Sequence, residues 1–378
     1  MTATLGDNTP DFLSVNTVNN YSSLIIEGIP VIMLRKNKKI NPRLHTKRHT
    51  NLIIVIITIF NVSPWEGPYI PLNTGDGFVI PETSDLITAR DIFRDPAINV
   101  ISMEELIKGE AVTESGIATV FRATYRGNSV SMKVYHEAVR DMTPTQTSYL
   151  TREVKLMSGL THPNIVVLYG VTLTDEGKLG IVAELAELGS LKSLLPHMHR
   201  DMHWVLILRM AQDIATGMSF LHKHNVLHRN LNSSNVLVTK VLQCKVSDMG
   251  FACLSPFETT GKLSAGAVEY MAPEVLSRHG YSPKSDVYSF GAVLAELATG
   301  VPPYSDLGLS PDEICRGVTG GRLHVLSARG GPSSCLRPIA DLISQCTNGN
   351  PDLRPDFEEV KVRIECIKNS LGSLQNSY

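Results

Sequence analysis

The chain has 378 residues, with 35 Lys and Arg against 37 Asp and Glu, a formal net charge of −2. Hydrophobic residues at 43% and charged residues at 19% describe a globular protein with a sizeable core, which excludes a disordered polymer and gives no charge-based reason to expect nucleic acid as a partner. Six cysteines, at 244, 253, 315, 335, 346 and 366, are too sparse for a disulfide scaffold and lack the paired spacing of structural zinc; they fit reduced thiols in a cytoplasmic protein.

Charge is unevenly placed at the start. Arg35, Lys36, Lys38, Lys39, Arg43, Lys47 and Arg48 precede the apolar run Leu52 to Phe60. That run is shorter than the roughly 20 apolar residues a membrane span needs. Its β-branched content reads as a buried strand or part of an extension, and reversible membrane-surface contact through residues 35–60 is the alternative. Residues 64–96, with Pro68, Pro71, Gly75, Gly77 and Pro81, read as a linker.

From Ile101 the texture changes. Residues 117–135 alternate apolar and polar around Arg126-Gly127-Asn128, a strand–turn–strand pattern. Thr143-Pro144-Thr145-Gln146 is a capping box that opens a helix running to about Leu160. Residues 202–222, 285–299 and 354–370 carry helical periodicity, and Ser310-Pro311-Asp312-Glu313 marks another helix start. Strands first and helices afterwards predict a two-lobed α+β layout.

Short motifs then occur in fixed order. Val130-Ser131-Met132-Lys133 ends a strand, and Glu153 lies on the next helix. Glu184-Leu185-Ala186, His228-Arg229-Asn230-Leu231-Asn232-Ser233-Ser234-Asn235 and Asp248-Met249-Gly250 follow. Ala272-Pro273-Glu274, Asp286 and Arg354 complete the series. The set resembles the eukaryotic protein kinase domain, nearest the tyrosine-kinase-like serine/threonine branch, with Asn230 and Asp248 eighteen residues apart as in that family. The resemblance implies a bilobal kinase-like fold over 101–370, with an N-lobe at 101–183 and a C-lobe at 187–370. Residues 1–100 are then a partly disordered extension and 371–378 a tail.

It also implies roles. Lys133 would hold the α- and β-phosphates of ATP and pair with Glu153. Asp248 and Asn235 would bind Mg²⁺. Val112, Val120, Ser131, Glu184, Ala186 and Leu237 would line the nucleotide site. Arg229 would steady the catalytic loop and meet a phosphorylated activation segment, where Thr259, Thr260 and Ser264 lie. Asp286 and the Glu274–Arg354 pair would be architectural. Ala183 stands at the gatekeeper position, and Met157, Leu168, His228 and Met249 would form the hydrophobic spine. His197, His199 and His203 read as loop histidines rather than a metal site.

Three departures bear on chemistry. Asn230 stands where the family has the Asp that accepts the substrate hydroxyl's proton, and an amide cannot act as that base. Asn232 replaces a Lys that stabilises the transferring phosphoryl group, and Ala267 replaces a Thr of the same contact set. In addition, the glycine-rich loop lands on residues 113–120, where Thr113, Ser115 and Ala118 occupy the three glycine positions. The expectation is a pseudokinase: a conformationally responsive signalling scaffold that holds ATP and Mg²⁺ weakly and acts on other signalling proteins, an active kinase among them. A weakly active serine/threonine kinase is the alternative.

Overall fold

A computed structural model of the chain describes residues 89–199, 202–250, 252–254, 267–326 and 337–375, together with the backbone of three strands between 13 and 33. The basic and apolar runs at 35–60, most of the linker, and Thr259, Thr260 and Ser264 lie outside the described residues. The chain divides into two compact units, Met1–Gly77 and Phe78–Tyr378. In the first, β1 (Leu13–Val18), β2 (Tyr21–Ile26) and β3 (Ile29–Met33) form an antiparallel meander. The reading of 1–100 as a partly disordered extension did not place these strands.

In the second unit, five antiparallel strands come first: β4 (Leu106–Glu114), β5 (Ala118–Tyr125), β6 (Asn128–Ala138), then β7 (Leu168–Leu173) and β8 (Lys178–Glu184), in the order β4-β5-β6-β8-β7. The β5–β6 hairpin turns on Arg126 and Gly127, with φ of 48° and 81°. Two central residues at positive φ make the tight connection whose twist matches the strands. Between β6 and β7 runs α1 (Pro144–Ser158). Thr143 accepts from the Gln146 amide at 3.3 Å while the Gln146 side chain accepts from the Thr143 amide at 2.7 Å, the capping box expected from sequence. The helix ends at Ser158, capped by Gly159.

Alternation along β6 sorts its side chains. Val130, Met132 and Val134 enter one core cluster, whereas Tyr135 joins Leu150 and Val154 of α1 in the other. The second cluster also takes in Ile92 and Ile98, buried to 0% and 5% exposure. Ile101 donates its amide to Val171 O at 2.7 Å, and Val171 donates to Asn99 O at 2.9 Å, so residues 99–101 lie along the β7 edge. Gly170 permits this approach, since a Cβ there would fall 2.3 Å from Asn99 O. Asp95 pairs with Lys155 of α1 at 3.6 Å. The lobe therefore begins before Ile92, not at residue 101; isolated apolar residues around Pro96 carry no periodicity that would have placed them.

The helical part contains α2 (Leu191–Met198), α3 (Trp204–Lys223), β9 (Val226–Leu227), β10 (Val236–Val238), β11 (Cys244–Val246), β12 (Cys253–Leu254), α4 (Pro273–Leu276), α5 (Pro283–Thr299), α6 (Pro311–Thr319), α7 (Arg337–Cys346) and α8 (Phe357–Gln375). The buried stripe of α3 includes Leu208, Ala211, Ile214, Ala215, Met218 and Leu221. Ser310 and Glu313 cap α6 reciprocally, as their sequence predicts. The final helix runs through Gln375, past the limit set at 370, so most of the supposed tail is helical. No helix among the described residues is long and apolar enough to cross a membrane.

Candidate active site

β6, α1, the hinge after β8, the loop between β9 and β10, and the segment after β11 supply the candidate site. Lys133 projects from β6 to Glu153 of α1, with Nζ 3.3 Å from Oε1. Burial opposes the lysine's charge, but the Glu153 carboxylate holds its pKa above the ordinary value. Tyr135, two residues on and therefore on the same face, donates its hydroxyl to Glu153 Oε2 at 3.0 Å. Sequence reasoning missed this contact, although the period-two spacing from Lys133 could have suggested it.

The β9–β10 loop is tied together by amides. Asn230 Nδ2 lies 3.4 Å from Asp248 Oδ2, placing a neutral donor against that carboxylate. Asn232 donates to Asn230 O at 2.9 Å, and Asn235 donates to the same carbonyl at 2.8 Å. Asp286, almost fully buried, accepts from the backbone of His228 and Arg229, each at 2.9 Å, and from His222 Nε2 at 2.9 Å. Burial would raise its carboxyl, but the bond from His222 leads the contacts that hold it below the ordinary range. Arg229 and Asp248 both sit at positive φ, 65° and 64°. Such non-glycine conformations cost about 1–3 kcal/mol each and persist only where neighbours impose them.

Asn232 and Ala267 line one cleft of about 190 Å³ with Lys192, Tyr270 and Pro303. Beneath it, Ser233 and Tyr270 both donate to the buried Glu296, at 3.0 and 2.6 Å. Positions 230 and 232 are thus joined by hydrogen bonds, and 232 and 267 share a wall. His228 and Met249 are buried at 0% and 1% exposure, Met157 is buried, and Leu168 packs beside the α1 cluster. Arg229 places its guanidinium 4.5 Å from the Tyr281 ring centroid. Arg354 is fully buried and grips both Glu274 oxygens, at 2.6 and 2.8 Å.

Two of the positions that the sequence assigns to a nucleotide site make internal bonds. Ser131 Oγ lies 3.2 Å from both Ala183 O and Glu184 O, so its hydroxyl sits on the hinge carbonyls an adenine amine would seek. Glu184 turns its carboxylate towards Lys245 Nζ, 3.0 Å away. Ala183 and Ala186 are buried, Val120 and Leu237 half-buried, and Val112 is 46% exposed at the edge. At the loop tip, Ser115 Oγ accepts the Ala118 amide at 3.1 Å and donates to Ala118 O at 2.8 Å. A backbone amide that could cradle phosphate is therefore engaged within the loop. The donor set still suits the family's cofactor: a Lys133 ammonium for phosphate, and the Asp248 carboxylate with the Asn235 carbonyl for a hard cation. Bound Mg²⁺ would neutralise phosphate charge there. Ser131→Ala should free the hinge carbonyls and tighten ATP binding roughly fivefold by titration calorimetry; unchanged or weaker binding would refute that role for the hydroxyl.

Elsewhere, His203 caps α3 by accepting the Val205 amide, and His199 contacts Ala298 O. No cluster of metal-ligating side chains occurs among the described residues.

Comparison with known proteins identifies the architecture. Residues 106–364 match the family model described as protein tyrosine and serine/threonine kinase, and the chain belongs to that family. It is 34% identical over 262 residues to the protein named "Probable serine/threonine-protein kinase drkD" of Dictyostelium discoideum, covering 69% of this chain and 20% of that one. It is 31% identical over 280 residues to "Probable serine/threonine-protein kinase kinX" of the same organism, covering 72% and 24%. Human mitogen-activated protein kinase kinase kinase 11 is 32% identical over 284 residues, covering 72% and 32%. The chain therefore spans between a fifth and a third of the length of these relatives.

Proposed function

We propose that this protein is a pseudokinase: a kinase-fold signalling module in the cytoplasm that works through its conformation on other signalling proteins, an active kinase among them, rather than by efficient phosphotransfer. The observation that carries this reading is the Asn230 amide donating towards Asp248, where phosphotransfer calls for a carboxylate that takes a proton. Asn232, hydrogen-bonded to Asn230, and Ala267, which lines a cleft with Asn232, extend the loss. ATP with Mg²⁺ is the ligand the surviving charged groups would take, weakly, because Ser115 and Ser131 engage backbone groups that would contact it.

A weakly active serine/threonine kinase is the second reading, favoured by the formed Lys133–Glu153 pair. Phosphoryl transfer depends largely on positioning and electrostatics, so a missing base slows it without forbidding it. A thermal-shift titration with ATP, with and without Mg²⁺, followed by radiolabel transfer to a generic substrate, separates the two. Metal-dependent stabilisation without label is expected. Robust transfer abolished by Lys133→Met would overturn the pseudokinase reading.

A further inference from the structure

We propose that the Tyr135 hydroxyl is a second lock on Glu153, one that keeps α1 seated against the sheet when the cleft holds no nucleotide. This rests on reading the chain as a module that signals through its conformation. Glu153 is 5% exposed, and its two oxygens are divided between two donors, Lys133 on Oε1 and Tyr135 on Oε2. The Lys133 ammonium also lies 5.2 Å from the Tyr135 ring centroid, so the cation sits between a carboxylate and an aromatic face. Burial, with the Glu153 carboxylate beside it, pushes the phenol's pKa up, so it stays protonated and remains a donor.

A lysine alone would make a poor permanent restraint at this position. Bound phosphate would compete with the carboxylate for its charge, and the Lys133 side chain is 30% exposed against 7% for that of Glu153. The phenol also contacts Lys133, but it is no ligand for phosphate and its ring is fixed by packing: Tyr135 is 7% exposed and lies in the same cluster as Leu150 and Val154 of α1. From the far side, Ile92 and Ile98 fill that cluster and Asp95 pairs with Lys155. Tyr135 is thus a positioning residue that acts through Glu153. The seated α1 becomes a standing property of the chain, available to a partner whether or not ATP is bound.

Hydrogen exchange of the full chain, read by mass spectrometry without nucleotide, tests the lock. Tyr135→Phe removes one oxygen and keeps the ring. Lys133→Met alone should leave α1 exchange within about twofold of wild type, whereas Lys133→Met with Tyr135→Phe should raise it by about tenfold or more, with α3 and α5 unchanged. If Lys133→Met alone releases α1 as fully as the double variant, the hydroxyl is not a lock and the proposal falls. It falls equally if Tyr135→Phe speeds exchange in α3 and α5 as much as in α1, since the oxygen would then support the fold at large. The readout involves neither ATP nor transfer, so detecting phosphotransfer would overturn the pseudokinase reading and leave the lock standing.

Discussion

Replacing Asn230 by Asp, Asn232 by Lys and Ala267 by Thr together should raise phosphotransfer by about 10²-fold or more, the range a positioned general base contributes. The three positions lie within one connected patch: Asn232 donates to Asn230, and Asn232 and Ala267 face the same cleft. The substitutions should therefore act together rather than additively. Radiolabel incorporation into a generic substrate is the measurement, and Lys133→Met added to the triple variant should abolish it. Failure of the triple variant would locate the defect in the loop where Ser115 closes on Ala118. A subsidiary result should accompany the gain. Asn230→Asp exchanges a donor 3.4 Å from Asp248 for a second carboxylate, so the variant should lose stability without Mg²⁺ and regain it when Mg²⁺ is added.

Arg354→Ala should cost about 3–5 kcal/mol of stability, because it leaves the half-buried Glu274 carboxylate without its partner. The guanidinium also donates to Asn348 O at 2.8 Å and Lys284 O at 2.9 Å, and those carbonyls would lose a donor as well. Denaturant unfolding followed by fluorescence would measure the loss, and an effect below about 1 kcal/mol would class the pair with ordinary surface ion pairs. The pH dependence has a definite sign. Burial would raise the Glu274 carboxyl, but the Arg354 hydrogen bonds hold it below the ordinary glutamate value. A depressed acid contributes stability that is complete above its unfolded value and lost as pH falls through the folded one. The gap between wild type and Arg354→Ala should accordingly be widest near neutrality and narrow in acid.

Much of the architecture is legible in the sequence. The Thr143 and Ser310 capping boxes, the Arg126–Gly127 turn and the stripe on α3 each depend on neighbours within a few residues, and local chemistry is what a sequence displays directly. The motifs pointed to Lys133, Glu153, Asn230 and Asp248 because they follow one another in a set order along the chain. What stayed hidden depends on contacts between distant segments. Ile92 and Ile98 are ordinary apolar residues in a proline-bearing stretch until β7 and α1 are placed beside them. Ser131 stood among the residues expected to line the nucleotide site, but its hold on the hinge carbonyls follows from the Ser131–Ala183 register between β6 and β8. Ser115 looked like a lost glycine and proved to be the residue that closes the loop tip.

The way residues 92–101 enter the sheet has a practical side. A recombinant fragment starting at Ile101, where the kinase motifs begin to be recognisable, would strip the β7 edge of Asn99 and open the space filled by Ile92 and Ile98. Bare strand edges recruit other strands, and emptied cores soften. Such a fragment would carry every kinase-like motif of this chain and still be prone to self-association, with α1 resting on a hollow wall. Starting upstream of Ala89 keeps both the edge covered and the wall filled, so the shortest stretch that looks like a kinase is shorter than the shortest stretch equipped to stay folded as one.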